Sequence, residues 1–352
     1  MDGRTESDGI AVTPPRPSDA GWGEVRAAPF PARAGLPARP GGTRKPHLGD
    51  RAFRAVSQAS GVLIVMLVVA IGVFLLWRAL PALARDQENF LTYGGNWVTT
   101  DTSAMHFGIR DILGVTVFVS LFALILAMPT ALGVALFLTR YAPRRAAGPL
   151  AYLVDLLAAV PSIIYGVWGL YVLAPRLRPA ATWLNHNLGW CFLFADGNAS
   201  VAGGGTIFTG GIVLAVMILP IITAVTREVF ARTPQEQVEA ALALGATRWE
   251  VVKTTVLPFG RSGYVSGAML GLGRALGETV ALLIILRGTQ ARFGWSLFDG
   301  GYTVATKIAS TASEFNDQYK AGAYIAAGLV LFVLTFVVSA LARGVVLRRA
   351  TR

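Results

Sequence analysis

The amino-acid sequence predicts an all-α integral membrane protein with six helical spans. Three observations predict it. Apolar runs near residues 60–80, 112–138, 150–174, 207–226, 264–286 and 322–346 each reach the roughly 20 residues that a helix needs to cross a bilayer. Charged residues make up only 14% of the chain, against about 25% in a soluble protein, and they avoid long blocks. Lys and Arg number 21 on one set of loops and 8 on the other, so the positive-inside rule puts both termini in the cytoplasm. The same rule accounts for the net charge of +11 without nucleic acid as a partner.

Residues 1–57 differ from the rest, which forms a membrane domain over 58–352. They are rich in Pro, Gly and Arg, lack hydrophobic periodicity, and are expected to be a disordered cytoplasmic tail. The first span follows. The second holds Pro129 and the weaker pathway candidates Thr116, Ser120 and Thr130. The third holds Asp155 near its cytoplasmic start, where a carboxylate favours a helix N-terminus, and Pro161 followed by Ser162. The fourth holds Pro220. Each of the three prolines removes a backbone donor and is expected to bend or break its helix. Ser162 is a candidate to face a solvated pathway. The outer loops 81–111, 175–205 and 287–321 carry no clear structural pattern.

Between the fourth and fifth spans lies a polar segment punctuated like a helix pair. Thr233, Pro234 and Glu236 read as a capping box with proline at the first helical position. Gly245 suits the left-handed residue that ends a helix. Thr247 and Glu250 repeat the box, and Pro258 marks the passage into the next span. A structured loop on the ATP-containing side of the membrane implies a docking partner there.

The fifth span carries the main chemical clue. At 100° per residue, Gly267, Gly271, Arg274 and Glu278 share a sector of about 60°, with Gly263 and Ala281 at its edge. Small residues at this spacing let another helix approach closely. Arg274 lies about 15 Å into the span, near the midplane, where a charge must face protein or water. Two readings stand side by side. Arg274 and Glu278 either form an internal ion pair, or line a pathway in which the guanidinium meets an anion and the carboxylate assists its release.

No phosphate-binding loop exists, since none of the four lysines follows a glycine. His47, His106 and His186 are far apart, and Cys191 is alone, so neither a metal nor a cofactor is expected. No nucleophile–base arrangement is evident. The chain reads as a non-enzyme whose energy comes from a partner.

The pattern Glu239-Ala240-Ala241, then Gly245, then Leu257-Pro258 resembles the EAA loop of ABC importer permeases. Leu272-Gly273-Arg274-Ala275-Leu276-Gly277-Glu278-Thr279 resembles the signature of the phosphate (Pst) permeases, as do Tyr141-Ala142-Pro143 and the stretch from Leu157 to Gly166. The segments around Arg274 and at 308–315 look more like the C-type than the A-type permease. The resemblance covers residues 55–350 and implies type I importer architecture in a bacterial inner membrane. It also implies a second homologous permease, a pair of ATPase subunits docked on residues 233–258, and an extracytoplasmic phosphate-binding protein. Inorganic phosphate would then pass Arg274, Glu278 and Thr279, with Ser162 as a further candidate. Val238 and Thr255 depart from the pattern and bear on docking. Rivals are a permease for molybdate or sulfate, an anion transporter that needs no ATPase, and a phosphate-sensing membrane scaffold.

Overall fold

Prolines, glycines and the neighbours they meet decide where the helices of this chain stop. The computed structural model describes residues 48–99, 101, 104–286, 292–315 and 317–350. Most of the segment expected to be a tail, residues 1–47, lies outside them. The chain divides into two units, Met1–Gly61 and Val62–Arg352. In the first, helix begins at Leu48 rather than after residue 57. No proline follows Pro46 until Pro81, and Asp50 supports the first turn of the helix.

The long helices are α1 (Leu48–Leu83), α2 (Arg110–Leu136), α6 (Ile207–Ala231) and α12 (Gln318–Ala350). Among the described residues, four helices are long and apolar enough to cross a membrane, and a fifth span qualifies if a bent pair counts as one. The sequence led us to expect six. The difference lies in the third and fifth runs, neither of which is a single straight helix.

In the third, α3 (Arg144–Ala159) ends at Val160 and α4 (Ser162–Trp168) starts after Pro161, with a bend of 90° between the arms. α4 continues through a π turn, Gly169–Leu173, into α5 (Ala174–Leu188). Val160 is extended, as the residue before a proline prefers. In the fifth, α9 (Leu257–Leu276) stops at Gly277, and α10 (Val280–Ile285) restarts after Glu278 and Thr279. Pro129 and Pro220, by contrast, lie inside helices that run unbroken. Pro220 is itself buried in α6, whose most apolar stretch is 72% buried, so packing on every side holds the helix together. α3 is largely exposed, and little opposes its break.

The core is a column of α2, α6 and α9. The glycine stripe expected to admit a helix does so, and the helix it admits is α6. A Cβ on Gly271 would lie 2.9 Å from the Ile222 side chain, and one on Gly267 would lie 3.2 Å from Val225. Gly263 meets Val229, and Gly260 meets Phe230.

The loops expected on the outer side fold into a cap. Buried Asp299 accepts from the amides of Asn198 (2.9 Å), Gly294 (2.8 Å) and Ser296 (3.1 Å), while its own carbonyl takes the Ile207 N–H that opens α6. Thr116, a weak pathway candidate, instead receives the Val304 amide at 2.9 Å and so ties α2 to α11 (Val304–Ser310).

Candidate functional site

Two places carry the residues singled out by sequence: a helical elbow between α6 and α9, and the pair of helix breaks.

The elbow is built by local chemistry. α7 (Gln235–Ala243) ends in a Schellman motif: Gly245 has φ +86°, its N–H bonds Leu242 O at 2.9 Å, and Ala246 N–H bonds Ala241 O at 3.1 Å. α8 (Arg248–Val251) opens with the predicted capping box. Glu250 accepts from the Thr247 amide at 2.7 Å and from its hydroxyl at 2.8 Å, and these bonds hold its carboxyl below the usual glutamate range. The box predicted at Thr233 does not form. Pro234 is the N-cap of α7, and the Thr233 hydroxyl donates to Phe230 O at the end of α6, 2.8 Å away.

Pro258 does not separate the elbow from the next span either. A π turn, Val252–Val256, joins α8 to α9, and Leu257 N–H reaches back five residues to Val252 O. That wider turn lets a proline without an N–H sit in the first turn of α9. Residues 248–276 thus form one helical rod from the elbow to Arg274.

Glu239, Ala240 and Pro258 are exposed, while Ala241 and Leu257 are half-buried. Leu244 is 90% exposed and Trp249 58% exposed, leaving an apolar outer surface. Val238, off the familiar pattern, is buried between α7 and α8, and Thr255 is half-buried. Sequence reasoning missed Arg140, whose guanidinium donates to Phe230 O at 2.8 Å and lines a cleft with Val238, Leu242 and Arg248. Its place in a basic loop gave no signal of that bond.

The second place is where the breaks meet. α4 packs on α10 so closely that a Cβ on Gly166 would lie 2.9 Å from the Ala281 Cα. Glu278 is buried and accepts the Ala281 amide at 3.1 Å, so it caps α10. Thr279 is half-buried, and its hydroxyl donates to Gly277 O at 3.1 Å. Arg274 is exposed, and among the described residues it forms no salt bridge. The internal Arg274–Glu278 pair is therefore not made. The break at Gly277 removes the helical register that would have stacked them, and Glu278 turns to its own helix. Ser162 is half-exposed at the start of α4. Asp155 forms an ion pair with Arg227 at 3.2 Å, a bridge from α3 to α6, in keeping with a structural role. Sequence reasoning missed Tyr165, buried in α4, whose hydroxyl donates to Leu157 O at 2.9 Å. Its position eight residues after Leu157, across a proline, was the available signal.

Residues 127–351 match the family described as "Binding-protein-dependent transport system inner membrane component". The phosphate transport system permease protein PstC 2 of Mycobacterium tuberculosis is 59% identical over 302 residues, 86% of this chain and 93% of that protein. The chain belongs to this permease family, and within it to the PstC proteins.

PstC of Mycobacterium leprae is 60% identical over 296 residues (84% of this chain, 92% of that protein). PstC of Xylella fastidiosa is 38% identical over 301 residues (85% and 91%). A bacterial ABC transporter involved in import of the acidic polysaccharide alginate shares the fold, with TM-score 0.52 and 16% identity over 86% of this chain and all of that one. As a PstC-type permease, the chain is a multi-pass membrane transport subunit and not itself an enzyme.

Proposed function

We propose that this chain is a transmembrane permease subunit of an ATP-driven phosphate importer. Its relatives carry phosphate transport in their names, which weighs against molybdate or sulfate as the cargo. Its binding-protein-dependent family weighs against a transporter that needs no ATPase. In this reading it pairs with a homologous PstA-type permease, two ATPase subunits and an extracytoplasmic phosphate-binding protein. Six crossings then comprise the four long helices, the bent α3–α5 pair and the interrupted α9–α10 pair. Both termini and the elbow face the cytoplasm, and the tail extends before the membrane domain.

The observation that carries the mechanism is the unbroken rod 248–276. At 1.5 Å per residue it transmits motion from Trp249 to Arg274 over roughly 38 Å. ATPase closure moves α7 and α8 through the exposed Glu239, Ala240 and Pro258, and the rod rocks against α6 along the glycine stripe. The spans open outward, accept phosphate from the binding protein, and release it inward in the alternate state. Arg274, free of Glu278, offers a planar fork to the oxyanion. Buried Glu278 keeps the break capped and adds negative potential that limits retention. Thr279 and Ser162 line the same passage from the two breaks.

Reconstitution tests this reading. The assembled complex should import phosphate with ATP, and Arg274→Ala should abolish import while the complex still assembles. Normal import by a well-assembled variant would sink the pathway role of Arg274. A purified complex without any nucleotide-hydrolysing subunit would sink the importer reading as a whole.

A further inference from the structure

The cleft between the elbow and the end of α2 gathers cations and no acid. It has a volume of about 190 Å³. Arg140, from the π turn Phe137–Tyr141 that follows α2, lines it together with Arg248, the first residue of α8. Val238, Leu242, Val251 and Val252 make its apolar wall. Among the described residues no Asp or Glu lines it, and neither arginine forms a salt bridge. Glu250, later in the same short helix as Arg248, is turned back onto Thr247.

Arg140 stands there with donors to spare. A guanidinium carries several N–H donors and no acceptor. One nitrogen of Arg140 donates to Phe230 O at 2.8 Å, while its Nε is buried and has no hydrogen-bond partner. A buried donor without an acceptor is a standing cost to the fold. A second guanidinium on the same cleft, with no carboxylate between them, adds like-charge repulsion beside an apolar wall. An anion with several oxygens offsets both costs, and the planar fork of Arg matches a phosphate group.

We propose that this cleft binds a phosphate group between Arg140 and Arg248, and that the group belongs to the headgroup of an anionic phospholipid. Free phosphate shares the chemistry of the site, but an apolar wall beside two cations suits an amphiphile better than a bare ion. The position agrees. Arg140 lies at the end of the apolar helical stretch Arg110–Tyr141, where a span meets the headgroup layer. The proposal rests on the membrane placement of that stretch and is independent of the cargo and of Arg274. A bound headgroup ties the first turn of the rod 248–276 to the end of α2. The start of the rod then responds to the lipid composition around it.

The experiment places the whole complex in nanodiscs of phosphatidylcholine, alone or mixed with phosphatidylglycerol, and follows amide exchange at Val251 and Val252. These amides bond Thr247 O and Arg248 O in the turn that carries Arg248. With phosphatidylglycerol at about ten times its half-saturating mole fraction, exchange there should slow about tenfold relative to phosphatidylcholine alone. Equal exchange in the two lipids overturns the proposal. Millimolar inorganic phosphate added to the phosphatidylcholine discs should give no protection, and protection there overturns the assignment to lipid. Arg248 is exposed, so Arg248→Gln should leave exchange in phosphatidylcholine unchanged and abolish the effect of phosphatidylglycerol. Persistence of the effect in that variant overturns the site. Arg232→Gln removes an exposed charge outside the cleft and should keep the full effect. Its loss there as well would mean that the elbow senses only surface charge, and overturns the site. Arg140→Lys keeps the charge and loses the fork, so more phosphatidylglycerol should be needed for half protection. An unchanged requirement overturns the part given to Arg140. Should that variant fail to assemble because Phe230 O loses its donor, Arg248→Gln and Arg232→Gln decide the proposal.

Discussion

The elbow and the two helix breaks are both interruptions of helix, yet they are made in opposite ways. At the elbow, every turn is closed by the chain's own local chemistry: a left-handed glycine with two return bonds, a reciprocal cap, and a π turn that absorbs a proline. At the breaks, backbone groups are satisfied by side chains that also carry other chemistry. Tyr165 covers the carbonyl freed by Pro161, and Glu278 caps α10. The elbow is closed by its own bonds at the place where the proposed reading has force enter. The breaks hold their geometry through side-chain bonds from Tyr165 and Glu278.

The largest test of this contrast removes the surface that joins the two regions. Gly263→Leu pushes a branched side chain into Val229, on a face where α6 side chains pack directly onto the glycine backbone of α9. Overpacking of this kind costs about 1–3 kcal/mol or more in a well-packed core. The variant should fail to yield a stable complex, read as loss of a monodisperse chromatographic peak. A normal, active complex would mean that the α6–α9 contact is not the bearing on which the rod moves.

A smaller effect separates the elbow from the bundle. Gly245→Val forces a β-branched residue to φ +86°, and left-handed backbone costs about 1–2 kcal/mol for an L-residue. Nothing else lies near a Cβ there, so the strain is purely conformational. Import should drop several-fold while the melting temperature of the complex stays put. If both fall together, the elbow is part of the bundle's stability and not a separate lever.

What the amino-acid sequence makes legible follows the same division. The Schellman glycine and the Thr247–Glu250 cap can be read because their partners lie within five residues. The box expected at Thr233 does not form because the helix starts one residue later, with Pro234 as its N-cap, while the Thr233 hydroxyl donates to Phe230 O at the end of the preceding helix. Pro129, Pro161 and Pro220 look alike in sequence. Pro220 is buried in α6 and Pro161 follows the exposed α3, but Pro129 is exposed in an unbroken α2, so burial alone does not sort them. The break at Gly277 is hidden in sequence because α9 is dense in glycines that do not break it. With the helix interrupted there, Glu278 accepts the Ala281 amide three residues on instead of pairing back to Arg274.

Next in size is the cap at α8. Thr247→Ala removes one acceptor and one donor from a four-residue helix, and N-cap losses run to about 1 kcal/mol. Amide exchange at Glu250 and Val251 should speed up several-fold, with no change at α9 residues buried against α6. Acceleration spreading along α9 would show that the rod is less rigid than its continuous hydrogen bonding suggests.

The finest test titrates the same cap without mutation. Glu250 is exposed, and its carboxylate accepts two bonds from Thr247, which lower its folded-state pKa. For an acid depressed in the folded state, the stabilising contribution is complete above the ordinary glutamate value. It declines as pH falls below that value and is gone once pH has passed below the depressed one. Exchange at the Thr247 and Glu250 amides, corrected for intrinsic pH dependence, should therefore rise on acidification through that window and stay flat near neutrality. Glu250→Gln should flatten the curve, because the amide oxygen accepts at every pH. The Schellman turn at Gly245 holds no titratable group and serves as the internal control. If its protection decays over the same window, acid loosens the whole elbow, and the two turns are not independently closed as the contrast with the breaks requires.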